Sequence, residues 1–148
     1  MTARDIVAAL IARGQTVGCA ESLTGGLLSD AFVRVPGASK VFMGGIVAYD
    51  EGRKAGLLGV DPATLAAHTA VSLQTALELA AGARQRLNVD YALATTGYAG
   101  PDGDDVGLVY VALAGPEGTR ARECRFSGSR AEIREQAVQA ALNLLDLK

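Results

Sequence analysis

The sequence predicts an α/β fold, a three-layer α/β/α sandwich with a mixed sheet. Helical and strand-like segments alternate through most of the 148 residues, which is typical of helices packed on both faces of a sheet. Two strand-like segments near the C-terminus are joined by Gly115-Pro116-Glu117-Gly118, a connection that indicates an antiparallel hairpin and hence a mixed sheet. A chain of this length fits one domain, which we expect to span residues 1–148.

The first half of the chain is expected to form helices and strands in alternation. Thr2 as N-cap and Gly14 after the last apolar position predict a helix over residues 3–13. A short β-compatible segment at 16–20 precedes a helical segment at 25–33. Residues 41–49 mix β-branched, aromatic and glycine residues, so we expect a buried strand there, followed by a short helix.

The second half of the chain contains clear helix beginnings. Asp61-Pro62 suits the N-cap and N1 positions of a small helix, and Ser72 suits the N-cap of a longer one. Ser129 and Glu132 form a capping box at the beginning of the last helix. The apolar face of the longer helix is expected to comprise Leu73, Leu77, Ala80 and Leu87. Strands are expected over residues 91–96, 106–114 and 119–126.

The composition excludes several classes of partner. The formal net charge is −2, whereas nucleic-acid-binding domains usually cluster Lys and Arg, so we expect a small-molecule partner and no nucleic acid. No apolar run approaches the ~18 residues of a membrane span. The N-terminus lacks the layout of a secretory signal, which favours a cytoplasmic protein without membrane contact. The apolar fraction of 49% and the small size favour a homo-oligomer.

Neither the cysteines nor the histidine indicates a metal site. Cys19 and Cys124 lie in apolar strand-like segments, where a thiol usually behaves as a buried hydrophobic group rather than a disulfide partner. His68 is the only histidine, whereas zinc sites need clustered Cys and His ligands. We therefore expect no metal and no cofactor.

The first candidate site is the turn that contains Ser22. Ser22 and Thr24 precede Gly25 and Gly26 where a strand passes into a helix. Free N–H groups at the beginning of a helix can bind a phosphate or a developing oxyanion, and a nucleophile also suits this place. From composition alone, a plain N-cap role for Ser22 or Thr24 is the more common outcome. The motif matches neither a Walker A loop nor the nucleophile elbow of the α/β-hydrolases.

The second candidate site begins at Tyr49 and reaches an amine at Lys54. No histidine lies near either glycine-rich turn, so a serine nucleophile needs another base, and lysine can serve. Its pKa of about 10.4 must then fall by roughly 3 units, which is usually achieved by burial. Asp50 and Lys54 are also four residues apart, so an exposed ion pair on a helix is the alternative.

The third candidate site is a glycine-rich loop that begins at Thr96 and Gly97 and runs to Gly103. A connecting turn and a ligand-binding loop are both consistent with it, because glycine amides beside a threonine hydroxyl can contact a ligand. Arg130 lies in the first turn of the last helix, where an exposed cation is disfavoured by about 0.3–1 kcal/mol. A substrate phosphate would offset this cost, and a solvated arginine is the alternative.

Seven segments together resemble the CinA C-terminal domain family, whose members include nicotinamide mononucleotide deamidases. Each segment alone is a weak signal, but together they are specific, and the likeness runs from about residue 14 to residue 145. The segments are residues 20–26, 35–39, 44–54, 58–60, 70–72, 97–103 and 126–130.

This resemblance implies hydrolysis of nicotinamide mononucleotide to nicotinic acid mononucleotide and ammonia, a reaction of pyridine nucleotide salvage. The catalytic serine, tyrosine and lysine of the family fall on Ser22, Tyr49 and Lys54. In that scheme Lys54 accepts the proton of Ser22, and Tyr49 orients or relays it. Thr96 and Arg130 match positions expected to contact the substrate. The remaining expected substrate-binding residues are Thr24, Gly25, Gly26 and Gly97.

The chain departs from the family pattern in one loop and at two side chains. Members usually carry a longer glycine-rich stretch ending in Lys-Pro before Val-Gly, whereas here residues 103–105 lead directly to Val106. Tyr98 replaces a smaller aliphatic residue, and Leu23 follows the serine where cysteine is common. The alternative function is a non-catalytic nucleotide-binding or competence-related interaction module with the same fold.

Overall fold

The computed structural model describes residues 1–147 and confirms an α/β fold with a mixed sheet. Within that range, no helix is both long and apolar enough to cross a membrane. A 3-10 turn lies at Ala38–Lys40. The elements in chain order are α1 (Ala3–Arg13), β1 (Val17–Glu21), α2 (Leu27–Val33), β2 (Phe42–Val47), α3 (Glu51–Leu58), α4 (Pro62–His68), α5 (Leu73–Leu87), β3 (Tyr91–Gly97), β4 (Leu108–Gly115), β5 (Gly118–Arg125) and α6 (Arg130–Leu144).

The sheet has the strand order β2-β1-β3-β4-β5. Strands β2, β1 and β3 are parallel to one another, whereas β4 is antiparallel to both β3 and β5. The expected hairpin between β4 and β5 is confirmed, with Gly115 opposite Gly118 across a two-residue connection. The three parallel strands therefore end at one edge of the sheet, where their connecting loops meet.

Two layers of helices cover the sheet, which confirms the three-layer architecture. Helices α1, α2 and α6 pack on one face around a core that includes Ile6, Phe32 and Ile133. Helices α3 and α5 pack on the other face around Leu58 and Leu79, and α4 lies against α5. Both faces of the sheet are thus buried, as expected for parallel strands with crossover helices.

The helix beginnings follow the caps that the sequence indicates. The side chains of Thr2, Asp61, Ser72 and Ser129 each accept a backbone N–H of their own helix. The capping box of Ser129 and Glu132 is present, and Gly14 ends α1 in the left-handed conformation. These local hydrogen bonds explain why the helix boundaries agree with the sequence pattern.

The expectation for β2 is wrong, and the expected apolar face of α5 is correct only for Ala80. β2 lies at the edge of the sheet with a neighbour only in β1, so it is not a buried strand, and Met43 and Val47 are exposed. On α5, Leu73 is exposed and Leu77 and Leu87 are only half-buried. The fully buried face of α5 instead consists mainly of small residues, Thr75, Ala76, Leu79, Ala80, Gly82 and Ala83.

The two faces of the sheet differ in side-chain size, which explains the small residues of α5. Toward α1 and α6 the sheet presents larger residues such as Leu93, Val109 and Val111. Toward α5 its fully buried apolar residues are alanines, among them Ala92, Ala94, Ala112 and Ala114, and Ile46 and Tyr110 pack there only partly buried. Because these alanines fill little space, α5 can approach the sheet closely only through small residues of its own.

We expect Gly82→Ala to destabilise the protein by about 3 kcal/mol, because overpacking a close contact costs about this much. A Cβ atom at Gly82 would lie 1.8 Å from the Leu58 carbonyl oxygen. Denaturant unfolding measures the effect. The matched control is Gly56→Ala in α3, where a Cβ meets nothing within 4 Å and alanine is expected to stabilise the helix. Equal stability of wild type and G82A contradicts the packing described here.

Candidate active site

The candidate site lies at the edge where β1, β2 and β3 end. Ser22 follows β1, Tyr49 follows β2, and Thr96 lies at the end of β3. β1 is followed by α2 on one face of the sheet, and β2 is followed by α3 to α5 on the other face. In open α/β sheets, ligands bind at the strand ends where the crossovers diverge in this way.

Glu21 fixes the turn that presents Ser22. Its buried side chain accepts N–H groups from Gly26, Leu28 and Ser29 at 3.2, 2.8 and 3.0 Å. The hydroxyl of Ser29 donates a further hydrogen bond to it at 2.6 Å. Glu21 therefore caps α2 from the preceding strand, and Ser22 is buried next to this cap.

The N–H groups of Gly25 and Gly26, two of the expected substrate-binding residues, both donate hydrogen bonds within the chain. The Gly25 N–H donates to the Ser22 carbonyl oxygen at 3.1 Å, and the Gly26 N–H donates to Glu21. Both glycines have positive φ values, 55° and 106°, which other residues rarely adopt. Their role in the structure is to turn the chain sharply after Ser22.

Lys54 reaches Ser22 from α3. Its Nζ lies 3.1 Å from Ser22 Oγ and donates to the Tyr49 carbonyl oxygen at 2.9 Å. The side chain is only 1% exposed. Asp50 instead pairs with Arg53, at 3.4 Å. Lys54 is therefore not the exposed ion-pair partner that the i,i+4 spacing allowed.

Burial lowers the pKa of Lys54, because its charged form loses hydration. The nearby carboxylates of Glu51 and Asp50 oppose this change, but the lowering prevails. Its two hydrogen-bond partners are neutral oxygens. Ser22 thus has beside it an amine that gives up its proton more easily than an exposed lysine.

The Tyr49 side chain does not contact the Ser22–Lys54 pair by a hydrogen bond. It is 65% exposed, and its phenol oxygen accepts from Arg130 Nη2 at 3.3 Å. Nη1 of Arg130 donates to the Gly100 carbonyl oxygen. Arg130 therefore joins the segment after β2 to the loop after β3, and Tyr49 contributes its backbone carbonyl to Lys54.

Two adjacent threonines of β3 point to opposite faces of the sheet. The Thr95 hydroxyl lies 2.8 Å from Thr24 Oγ1 and accepts the Ser22 N–H at 3.4 Å. The Thr96 hydroxyl donates to the Ala70 carbonyl oxygen at 2.8 Å. Thr24 and Thr95 thus support the Ser22 turn, while Thr96 anchors the segment before α5.

The loop after β3 closes on itself through backbone hydrogen bonds. The Tyr98 N–H donates to Leu108 at 3.0 Å, and the Gly107 N–H donates to Tyr98 at 2.8 Å. Gly97 lies against β4, where a Cβ would meet Val109 Cγ2 at 2.7 Å. The Tyr98 side chain is 40% exposed.

Three residues of this site escaped the sequence analysis: Glu21, Thr95 and Arg134. Arg134 Nε and Nη2 donate to the carbonyl oxygens of Leu23 and Thr24 at 2.8 and 2.9 Å. The position of Glu21 just before a helix is a usable signal, since carboxylates favour helix N-termini. Arg134 gives no local signal, because more than a hundred residues separate it from its partners.

Three other features of the structure bear on ligand binding. Cys19 and Cys124 are free, and burial raises the pKa of both thiols. Residues 1–147 contain no group of three or more His, Cys, Asp or Glu arranged to hold a metal ion. A cavity of about 670 Å³ lies at the opposite end of the sheet, beside Tyr91 and Arg120, away from Ser22.

Comparison with known sequences shows one family over the whole chain. The model of the CinA C-terminal domain matches residues 1–148. A CinA-like protein of Frankia casuarinae is 49% identical over 143 residues, which are 95% of this chain and 33% of that protein. A CinA-like protein of Anaeromyxobacter sp. strain Fw109-5 is 50% identical over 146 residues, 96% of this chain and 36% of that protein. The chain spans about a third of the length of these curated relatives.

Solved structures give the same result. The competence/damage inducible protein CihA of Agrobacterium tumefaciens superimposes with a TM-score of 0.93 at 40% identity, over 96% of this chain and 90% of that chain. A competence-damaged protein (CinA) superfamily protein of Klebsiella pneumoniae superimposes with a TM-score of 0.92 at 33% identity, over 96% and 91% of the two chains. The fold described above is therefore shared with these proteins.

Proposed function

The chain belongs to the CinA C-terminal domain family, and from this we propose that it is a serine-dependent amidohydrolase that converts nicotinamide mononucleotide to nicotinic acid mononucleotide and ammonia. The family resemblance described in the sequence analysis implies amidohydrolase activity. The observation that supports the proposal most is the buried contact of 3.1 Å between Lys54 Nζ and Ser22 Oγ. A serine hydroxyl beside a lysine with a lowered pKa is an activated nucleophile.

The proposed reaction has two halves. Neutral Lys54 takes the proton of the Ser22 hydroxyl as Oγ attacks the carboxamide carbon, and the electron pair of the carbonyl bond moves onto its oxygen. When the tetrahedral species collapses, the C–N bond breaks and the Lys54 ammonium returns a proton to the departing ammonia. Water then attacks the ester on Ser22, again with Lys54 as base, and releases the carboxylate.

Arg130 is the proposed phosphate contact of the substrate. Its guanidinium lies at the exposed rim of the site, where it already bridges Tyr49 and Gly100. An arginine is suited to phosphate because its planar donors can bind two oxygens at once. Because the phenol of Tyr49 contacts Arg130 and not Ser22 or Lys54, we assign it to orienting the nucleotide rather than to relaying the proton of Ser22.

Turnover tests the proposal. The purified chain is incubated with nicotinamide mononucleotide, and released ammonia is measured against a Ser22→Ala control. Ammonia formation that requires Ser22 supports the function. Binding of the nucleotide without turnover overturns it and favours the alternative, a non-catalytic nucleotide-binding module. Turnover is also measured on a series of amides that lack the ribose phosphate. Faster turnover of one of these than of nicotinamide mononucleotide would indicate that the exposed Tyr98 and the short loop to Val106 have changed the substrate preference.

The rate should depend on pH through Lys54. Because its pKa is lowered, the neutral base forms at a lower pH than for an exposed lysine, which titrates near 10.4. We expect log kcat/KM to rise with pH and to level off at the lowered pKa of Lys54, below that of a free lysine. Steady-state rates across pH 5–10 measure this limb. A pH-independent kcat/KM over that range contradicts a lysine base.

A further inference from the structure

Arg134 connects α6 to the turn that holds the nucleophile. It donates Nε to the Leu23 carbonyl oxygen and Nη2 to the Thr24 carbonyl oxygen, at 2.8 and 2.9 Å. Arg130 precedes it by one helical turn, so both arginines lie on the same side of α6. Helix α6 therefore contacts the Ser22 turn through Arg134, and it contacts Tyr49 and Gly100 through Arg130.

The hydrogen bonds of this turn form a chain that leads from Arg134 to the Leu23 amide. The Thr24 carbonyl accepts from Arg134, and the N–H of the same peptide unit, that of Gly25, donates to the Ser22 carbonyl at 3.1 Å. The N–H of the Ser22–Leu23 peptide unit belongs to Leu23 and points opposite to that carbonyl. Each bond in such a chain polarises the next one.

The Leu23 amide ends this chain without a partner. Among residues 1–147 its N–H donates to no acceptor, although Leu23 is only 4% exposed. Nearby, the Ser22 N–H donates to Thr95 and the Gly26 N–H donates to Glu21, whereas the Thr24 N–H, like that of Leu23, has no acceptor among residues 1–147. Buried N–H groups are seldom left unpaired in folded proteins, so we expect the Leu23 N–H to donate to an acceptor on a bound ligand.

We propose that the Leu23 N–H is an oxyanion-hole donor and that Arg134 is the positioning residue that orients and polarises it; this rests on the amidase function proposed above. As Ser22 Oγ attacks, negative charge develops on the former carbonyl oxygen. An amide of the residue after the nucleophile is well placed to meet that oxygen, as in other serine hydrolases. The guanidinium stabilises the same charge through two peptide units without touching the substrate.

Arg134→Gln and Arg134→Lys test the proposal in the full chain. Removing one oxyanion-hole donor typically lowers kcat by ~10²–10³-fold, and loss of its polarisation should have a smaller effect. We expect R134Q to lower kcat by about 10–100-fold with KM changed by less than about threefold. R134K keeps the charge but not the paired hydrogen bonds, so its loss should be smaller.

An inhibitor pair separates a catalytic role from a structural one. The 3-formylpyridine analogue of the nucleotide forms a tetrahedral adduct with Ser22, whereas the product nicotinic acid mononucleotide does not. R134Q should weaken binding of the aldehyde by about the same factor by which it lowers kcat, and it should leave the affinity for the product unchanged. The control is Arg84→Gln, which removes a comparable hydrogen bond of 2.9 Å to the Asp90 carbonyl far from the site and should leave kcat unchanged.

The outcomes distinguish this inference from the function on which it rests. If wild type releases no ammonia, the proposed amidase function fails and the oxyanion role fails with it. If wild type is active and both Arg134 variants keep kcat within twofold, the role of Arg134 is wrong while the amidase function stands. If R134Q does not fold, R134K decides by the same comparison of aldehyde and product affinity.

Discussion

Ser22→Ala is expected to reduce ammonia release from nicotinamide mononucleotide by at least ~10³-fold, because no neighbouring group replaces a lost nucleophile. The fold should persist. The Ser22 hydroxyl contacts Lys54, which keeps its second hydrogen bond to the Tyr49 carbonyl, so the change should cost about 1–2 kcal/mol of stability.

Single-turnover rates and denaturant unfolding, measured on the same preparation, check both parts of this prediction. Ser39→Ala is the matched control, since Ser39 is exposed on a 3-10 turn outside the site. S39A should match wild type in rate and stability. If S22A also retained turnover close to wild type, Ser22 would be a structural cap and the covalent mechanism would be untenable.

Lys54→Met is expected to lower kcat/KM by ~10²–10⁴-fold, the range for loss of a general base. Methionine has a similar length and packs in the same space, whereas arginine at this buried position would overfill it. Lys54→Arg is therefore expected to be inactive as well, since a guanidinium does not lose its proton. Its stability should fall by about 1–3 kcal/mol, because the site has no room for the larger group.

The same K54M variant should be at least as stable as wild type at neutral pH, because it removes a buried amine whose charged form is poorly solvated. The pKa of Lys54 is lower in the folded protein than in the unfolded chain. Below the folded-state pKa, Lys54 is protonated in both the folded and the unfolded state, and the cost of burying its charge is fully present. This cost decreases as pH rises from the folded-state pKa toward about 10.4.

Unfolding free energies of wild type and K54M, measured from pH 6 to pH 10, test this sign. The unfolding free energy of K54M should exceed that of wild type at low pH, and this difference should decrease as pH rises. Lys40→Met, at an exposed lysine, is the control and should show no such trend. A K54M protein that is less stable than wild type throughout the range, yet active, would assign Lys54 to the scaffold.

The sequence predicted local structure well wherever a few adjacent residues determine it. Ser72, Asp61 and Ser129 mark helix beginnings because a cap is a hydrogen bond between residues two or three positions apart. The burial of β2 was not predictable in this way. Its apolar residues are typical of a central strand, but the chain order does not show that β2 pairs on one side only.

The candidate site was predictable as a set of segments but not as a network of contacts. Ser22, Tyr49, Lys54 and Arg130 were candidates from the residues themselves, and the family resemblance assigned their roles. The structure brings Ser22 and Lys54 into contact and joins Tyr49 to Arg130. The burial of Lys54 depends on packing across the sheet, which residue spacing does not reveal. Arg134 depends on a contact between the first and last parts of the chain, so only the folded structure identifies it.

The position of α6 after every strand has a consequence for the timing of activity during synthesis. Domains generally fold as units during translation, from the N-terminal side onward. The turn that bears Ser22 and the strand that bears Thr95 emerge from the ribosome before Arg130 and Arg134, both of which belong to α6. A nascent chain whose α6 is still inside the ribosome can form the sheet. It lacks Arg134, which contacts the Ser22 turn, and Arg130, which contacts Tyr49 and Gly100. If the proposed function holds, hydrolysis therefore requires that α6 has been synthesised, and a product truncated before α6 should not hydrolyse the nucleotide.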